Sequence, residues 1–325
     1  MLPKENNFIP KSSTIDRVNP DDKIRSSELL TETNEYKILA VGPFCKLIHH
    51  CSEISWLPQF SETVALTIEK WKQAVASNPK TYAGPQFRLE GFEISGDTLA
   101  LQTSLISYNL YVGCRDEKKL SEIASANKIK DVYDLAAQPL NVSALIVFSD
   151  QLIPVQKRSL EVDVDPGMIY LPGGQLRDHL APETIDLAKQ RGLALTQILP
   201  DNIRPEELYV YREIERHATS PLGALFDQII SETGISIEHF TLEEAVLLGL
   251  IQAKGVALHP ELVFLISCNL TSKEAMKFKG KDAWEGKFHL VNSDPNRIVK
   301  EINAIGNPVP ILQGALAVYT HLTSK

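Results

Sequence analysis

Two stretches of this sequence carry the residue types that phosphate chemistry needs: Pro172-Gly173-Gly174, closing a short apolar run, and a helical pattern from Pro221 to Gly234 with Glu232 near its end. Consecutive glycines leave nothing to block the approach of backbone N–H groups to an anion, although a lone Gly-Gly is more often an ordinary turn. Glu232 offers a carboxylate to a divalent cation. Gln228, four residues earlier and on the same helix face, offers a neutral carbonyl oxygen. Asp227 is five residues from Glu232, about 140° around a helix of 3.6 residues per turn, so those two carboxylates do not converge. Ser231 brings only a hydroxyl. Such a set could make a site for a metal and a phosphate, whose chemistry rests on positioning and electrostatics.

Local chemistry defines the helix that would hold these groups. Ser220 is a good N-cap, Pro221 sits where a missing N–H costs nothing, and Gly234 supplies a left-handed stop. Leu222, Leu225, Phe226, Ile229 and Ile230 form an apolar stripe at i, i+3, i+4, i+7, i+8, and Glu232 lies away from it. Upstream, Ala144–Phe148 reads as a buried strand turned at Ser149-Asp150 and returned by Leu152–Arg158, a hairpin feeding the Gly-Gly loop.

The rest of the chain alternates helices and strands. Residues 1–34 are polar and charged and read as a disordered tail. A strand at Tyr36–Val41 stops at Gly42-Pro43. A helix over Glu62–Ala76 presents Val64, Ile68, Trp71 and Val75, and a hairpin turns at Gly96-Asp97. Leu120–Leu135 is helical, and Gln138-Pro139 is the hinge between an N-terminal α+β region, 35–139, and a second region, 140–325. In the latter, Thr241 and Glu244 look like a capping box and make Ala245–Ile251 a helix. Glu261–Cys268 reads as a strand and Ile311–Leu322 as a helix. An α/β class with a mixed sheet between helices follows.

Composition narrows the function classes. A net charge of −8 argues against a general nucleic-acid partner, and no run of about 18 apolar residues is present to span a membrane. Cys45, Cys51, Cys114 and Cys268 are scattered, which fits reduced thiols and a cytoplasmic chain. Cys45 and His49 lack the second ligand pair that structural zinc takes, so Cys45–Cys51 reads as a packed turn with exposed histidines.

The two halves of the first motif together resemble the Nudix signature: Gly, five residues, Glu, seven residues, then Arg-Glu-apolar-x-Glu-Glu-x-Gly-apolar. Aligning Gly234-Ile235 with its end puts Asp227 at the Arg, Gln228 at the first Glu, Ser231 at the second and Glu232 at the third. Leu180 falls where the loop Glu belongs, and the segment before the helix is longer than the pattern allows. Further blocks occur in the order found in the UDP-glucose and UDP-galactose pyrophosphatase branch of that superfamily. They are Gly84-Pro85-Gln86-Phe87-Arg88-Leu89, Ser107-Tyr108 through Val112-Gly113, Arg158-Ser159, Leu247-Leu248-Gly249, Cys268–Ser272, Trp284-Glu285 and Gly314-Ala315.

The resemblance implies a Nudix-type α/β/α sandwich with a mixed sheet and an N-terminal α+β extension. It implies hydrolysis of a UDP-sugar to UMP and sugar 1-phosphate with magnesium, or manganese, held by Gln228 and Glu232. Glu232 and Glu285 are the implied catalytic carboxylates. Tyr82, Tyr108, Arg158, Asp163, Tyr170, Gln175 and Arg177 fall at implied substrate contacts: the tyrosines Tyr82 and Tyr108 at the uridine, Arg158 at the phosphates. Here Asp163, Tyr170, Gln175 and Arg177 depart from the residues the branch carries, and Gln228 replaces a carboxylate with an amide. A Nudix-fold protein that binds nucleotide sugars without splitting them is the alternative those departures leave open.

Overall fold

In the computed structural model of the chain, the residues described are 32–51, 58–77, 85–162, 165–176, 221–241, 244–254 and 259–323. Eleven strands and seven α-helices among them form a mixed α/β architecture of three sheets. The largest sheet runs in the order β1 (Tyr36–Phe44), β9 (Val246–Ala253), β10 (Pro260–Cys268), β5 (Asn141–Phe148), β8 (Gly173–Gln175). Only β10 and β5 pair in parallel. A second sheet orders β11 (Gly286–Asn292), β6 (Leu152–Arg158) and β7 (Ile169–Tyr170). The third, entirely N-terminal, orders β2 (Lys46–Cys51), β4 (Thr98–Ser107) and β3 (Pro85–Ser95).

The five-stranded sheet is covered on both faces, which is why its central strands are almost continuously apolar. On one face α4 (Pro221–Thr233) packs through Ala224, Leu225, Phe226 and Ile229 against Val142, Ala144, Leu262 and Phe264. On the other, Leu145, Ile251 and Val263 meet the second sheet together with α6 (Ile298–Ile305) and α7 (Pro310–Thr323). Each fully buried Leu, Ile or Val is worth about 1.5–3 kcal/mol relative to exposure, so these two layers hold the strands whose ends carry the polar residues below.

Four expectations need correction. Ala245–Ile251 is strand β9, not a helix; it lies between β1 and β10, and a strand buried on both faces shows no alternation that would separate it from a helix. The capping box belongs instead to Thr271 and Glu274, which open the short α5 (Ser272–Ala275). β5 and β6 do not pair as a hairpin: β5 joins the first sheet and β6 the second. Cys45–Cys51 is not a turn but includes β2, parallel to β4.

Two elements are adjusted rather than overturned. β1 runs through Gly42-Pro43 to Phe44 and pairs with β9, so the first strand of the N-terminal region completes the sheet of the C-terminal one. The helix α1 (Ser61–Ser77) buries Thr63, Leu66, Thr67 and Trp71, a stripe turned from the apolar one. Close packing explains it: α2 (Tyr108–Gly113) approaches so tightly that a Cβ on Gly113 would sit 2.3 Å from Thr67 Oγ1. The stretch Leu120–Leu135 divides into α3 (Glu117–Ala126) and a 3-10 turn, Val132–Leu135.

Candidate functional site

Gly173-Gly174 is part of an edge strand rather than an open loop. β8 pairs with β5, placing Gly173 opposite Ser143 and Gly174 opposite Val142. Gly173 has φ +152, and a Cβ there would lie 2.2 Å from the Val142 carbonyl oxygen, so only glycine lets the strands approach. Its N–H, at 3.3 Å, donates to Glu232 Oε2. The backbone group expected to meet an anion therefore meets the helix carboxylate in this structure.

α4 delivers that carboxylate. Its last turn closes through the Gly234 N–H to the Ile230 carbonyl at 2.8 Å, with Gly234 at φ +77. Glu232 is only 5% exposed; it follows Leu225 by seven residues and Ile229 by three, on the buried side of the helix near its end. The segment before β11 covers it. A Cβ on Gly280 would come within 2.1 Å of the Ser231 carbonyl oxygen, the Asp282 N–H donates to that carbonyl at 3.0 Å, and the Ser231 hydroxyl donates to the Asp282 carboxylate. This close seating brings Glu285, in the 3-10 turn Ala283–Glu285, into the electrostatic range of Glu232.

Burial, then the negative charge of Glu285, pushes the Glu232 carboxyl well above the usual carboxylate range, and Asp282 adds to it. The Gly173 N–H and the Arg158 guanidinium oppose the rise. Gln228 stands beside the same strand, its Oε1 being 3.0 Å from where a Gly174 Cβ would project. Asp227 is exposed. Among the described residues no three His, Cys, Asp or Glu side chains form a metal-binding group. The side chains at this point that could offer oxygen to a cation are Glu232, Glu285 and the Gln228 amide. A buried carboxylate under the field of a second one fits a hard cation that takes one or two carboxylates and fills its shell with water and phosphate oxygens.

Arg158 ends β6. Its guanidinium lies over the Tyr170 ring, 5.3 Å from the centroid, and its buried Nε has no hydrogen-bond partner among the described residues. The Ser159 N–H donates to the Glu285 carbonyl at 2.7 Å, and Gly286 pairs with Arg158, so Arg158 and Glu285 are neighbours across two strands. Tyr170 is buried beneath the arginine, and its hydroxyl donates to Glu261 Oε2 at 2.6 Å. Gln175 accepts from the Gln86 amide, linking β8 to β3 of the N-terminal sheet.

The structure therefore gathers Gln228, Glu232, Glu285 and Arg158 around β8, with Tyr170 beneath the arginine and Gln175 farther along that strand. Tyr108 belongs to a different group. Its hydroxyl accepts from Arg115 Nη2 at 2.7 Å, and the guanidinium also covers the rings of Tyr108 and Tyr111, at 5.6 and 4.7 Å. Asp165, in the connection between β6 and β7, acts electrostatically on Tyr111, which brings this group up to that connection. Arg115 was not singled out from the sequence, although Tyr108, Tyr111 and Arg115 at i, i+3 and i+7 share one face of a helical path. Tyr82, Asp163 and Arg177 lie outside the described residues.

The zinc pattern has another explanation. His49 Nε2 is hydrogen-bonded to Thr103 Oγ1 at 2.8 Å, and its ring meets Phe87 edge-on at 5.0 Å; it is half-buried, not exposed as expected. Among the described residues no helix is long and apolar enough to cross a membrane.

No protein-family model matches the chain. It is 23% identical over 264 residues to the human (Homo sapiens) uridine diphosphate glucose pyrophosphatase NUDT22, covering 78% of this chain and 80% of that one. The Mus musculus protein of the same name is 24% identical over 259 residues, covering 77% of each. Nudix hydrolase 9 of Arabidopsis thaliana is 22% identical over 237 residues, covering 69% of this chain and 70% of that one. Among solved structures, DR0079 from Deinococcus radiodurans superposes with a TM-score of 0.33 at 10% identity, over 55% of this chain and 80% of that one, too distant a likeness to bear on the fold. The resemblance drawn from the ordered sequence blocks thus extends to curated relatives in the Nudix superfamily and its UDP-glucose branch, over more than two thirds of the chain.

Proposed function

We propose that this chain, a distant relative of the Nudix hydrolases, is a hydrolase that splits the pyrophosphate bond of a UDP-sugar, UDP-glucose or UDP-galactose, into UMP and a sugar 1-phosphate. The observation that carries this reading is Glu232: a carboxylate buried beside β8, raised by burial and by Glu285, with Arg158 acting on it from the other side. Carboxylates and a cation around one point form a site for a metal and a phosphate together.

With magnesium or manganese held by Glu232 and the Gln228 amide, the charge of the diphosphate would be neutralised and its phosphorus made more open to water. Arg158 has a buried donor, Nε, left to meet a phosphate oxygen. Glu285, beside Glu232 and less buried than it, takes the proton of the attacking water. The Tyr108 hydroxyl accepts from Arg115 and so keeps its own hydrogen for a carbonyl of the uracil ring. Tyr82 would complete the uridine contact, and Asp163, Gln175 and Arg177 the sugar and diphosphate contacts.

The same proposal covers the Nudix-type α/β/α sandwich, for which the central sheet flanked by α4 on one face and α7 on the other is the support. It also covers residues 35–139 as a substrate-binding region ahead of the hydrolase region, and a cytoplasmic location, which free thiols at Cys45, Cys114 and Cys268 fit.

Incubation of the purified chain with UDP-glucose, with magnesium or with a chelator, tests the reading by chromatography of released UMP. UMP is expected only with metal, and Glu232→Gln is expected to lower its rate by about 100-fold or more. The second reading, binding without turnover, is favoured by one observation, the amide of Gln228 where a carboxylate would serve better. A melting temperature raised by UDP-glucose, with no UMP formed with either metal, would establish it.

A further inference from the structure

Arg158 is a long side chain with a phosphate to meet, and what lies beneath it is an unusual stack of buried polar groups. Tyr170 is 6% exposed and Glu261 0%. The Tyr170 hydroxyl donates to Glu261 Oε2 at 2.6 Å, and His259 Nε2 approaches the same oxygen at 3.3 Å. The Asn141 carboxamide also hydrogen-bonds the hydroxyl, from the strand position directly beside Glu261. Burial and the Glu261 charge push the Tyr170 phenol well above its usual value, so the hydroxyl keeps its proton and donates.

The register explains why these groups coincide. Glu261, second residue of β10, pairs with Asn141 at the start of β5, and Gln156 on β6 pairs with Tyr170 on β7. The tyrosine therefore spans from the first sheet to the arginine of the second. Its ring is held at both ends, by Glu261 at the hydroxyl and by the β6 pairing at the backbone. The Arg158 guanidinium rests on a ring that cannot turn.

We propose that Glu261, acting through the Tyr170 hydroxyl, is a positioning residue for Arg158, and that the Tyr170–Glu261 bond sets where the guanidinium meets the substrate diphosphate. This rests on the proposed function and adds to it a control of the phosphate-binding cation from the far side of the sheet. Loss of the hydroxyl leaves the ring and the cation–π contact in place but frees the ring to rock, so the guanidinium loses its fixed fork geometry.

The test is a double-mutant cycle on the full chain with magnesium, reading kcat and KM for UDP-glucose and, by calorimetry, its Kd. Tyr170→Phe, the least disruptive change, is expected to lower kcat/KM five- to twentyfold with the melt still cooperative. In the Arg158→Ala background the same change is expected to alter kcat/KM by less than twofold, because the residue acted on is gone. Glu261→Gln, made in the wild type, keeps an acceptor for the hydroxyl and is expected to hold kcat/KM within about threefold of wild type, whereas Glu261→Ala is expected to lose as much as Tyr170→Phe or more.

Equal losses from Tyr170→Phe with and without Arg158 would mean a merely structural role and overturn the positioning, as would a Tyr170→Phe enzyme with unchanged kcat/KM. A wild type that binds UDP-glucose without splitting it moves the same cycle to Kd, with the same expected coupling. A wild type that neither binds nor splits it defeats the proposed function itself, and the positioning with it.

Discussion

Glu232 and Glu261 are both buried glutamates, one on either side of Arg158, and they are built in opposite ways. Glu261 is wholly inside; its Oε2 is met by a phenol and an imidazole, while its Oε1 is buried with no hydrogen-bond partner among the described residues. Glu232 is met by one backbone N–H at 3.3 Å, and the charges of Glu285 and Asp282 outweigh the guanidinium of Arg158 beside it. Burial is therefore no mark of a site by itself. What separates the two is whether the surrounding groups answer the charge, because a buried carboxylate left with negative neighbours is stable only when a proton or a cation joins it.

The sharpest way to break this contrast is to remove each carboxylate in turn from the metal-free protein. Glu261→Ala removes the acceptor shared by the Tyr170 hydroxyl and the His259 imidazole and leaves a void in the interior, and is expected to cost about 2–4 kcal/mol in a urea melt. Glu232→Gln removes a disfavoured charge and is expected to leave stability unchanged or raise it, and to abolish the gain in melting temperature expected for the wild type on adding magnesium. Similar losses from both changes would erase the distinction.

Titration sharpens it with two groups of opposite sign. The folded-state value of Glu232 is raised, so its contribution favours folding at acid pH and declines as pH rises above the usual carboxylate range. His49, on β2, is lowered from 6.5 to about 4, chiefly by burial and then by His50. Its contribution is fully present above pH 6.5 and is lost as pH falls toward 4, because the unfolded chain takes up the proton first. That loss is on the order of 1–3 kcal/mol. His49→Gln is expected to flatten the decline between pH 6.5 and 4 in chemical denaturation, leaving the opposite trend of Glu232 visible. An unchanged decline would assign it elsewhere.

The smallest effect is expected at Gly174. A Cβ there meets Gln228 Oε1 at 3.0 Å, the end of a flexible side chain. Gly174→Ala should move the amide by a few tenths of an ångström, lowering UMP release by about three- to tenfold with stability within about 1 kcal/mol. Gly173→Ala, aimed at backbone 2.2 Å away, should instead unseat β8. Equal effects from the two would show that the amide has no special part.

Much of this arrangement was legible in order along the chain. The α4 stripe, its Gly234 stop and strand Glu261–Cys268 follow from period and caps, and they appear where those signals put them. Ala245–Ile251 was misread because a strand covered on both faces carries the same apolar run as a buried helix. β5 and β6 look like a hairpin in sequence, but Asp150 and Gln151 carry the chain from one sheet to another. Arg115 escaped notice because a single arginine after a short helix looks like any surface charge until it is found against two tyrosine rings.

The sequence by itself determined which residue types are available for the chemistry: one helix carboxylate, an amide where a second carboxylate would serve, an arginine, and a pair of glycines. Those are covalent facts, and local periodicity placed most of them on the right elements. Only the tertiary structure decided that Gly173 spends its N–H on Glu232, that Glu285 bears on that carboxylate through the tight seating of Gly280, and that Tyr170 lies beneath Arg158 in the grip of Glu261. The reason is distance along the chain. Glu232 and Gly173 are 59 residues apart and Tyr170 and Glu261 are 91 apart, so their meeting depends on strand order and register, which no local pattern encodes.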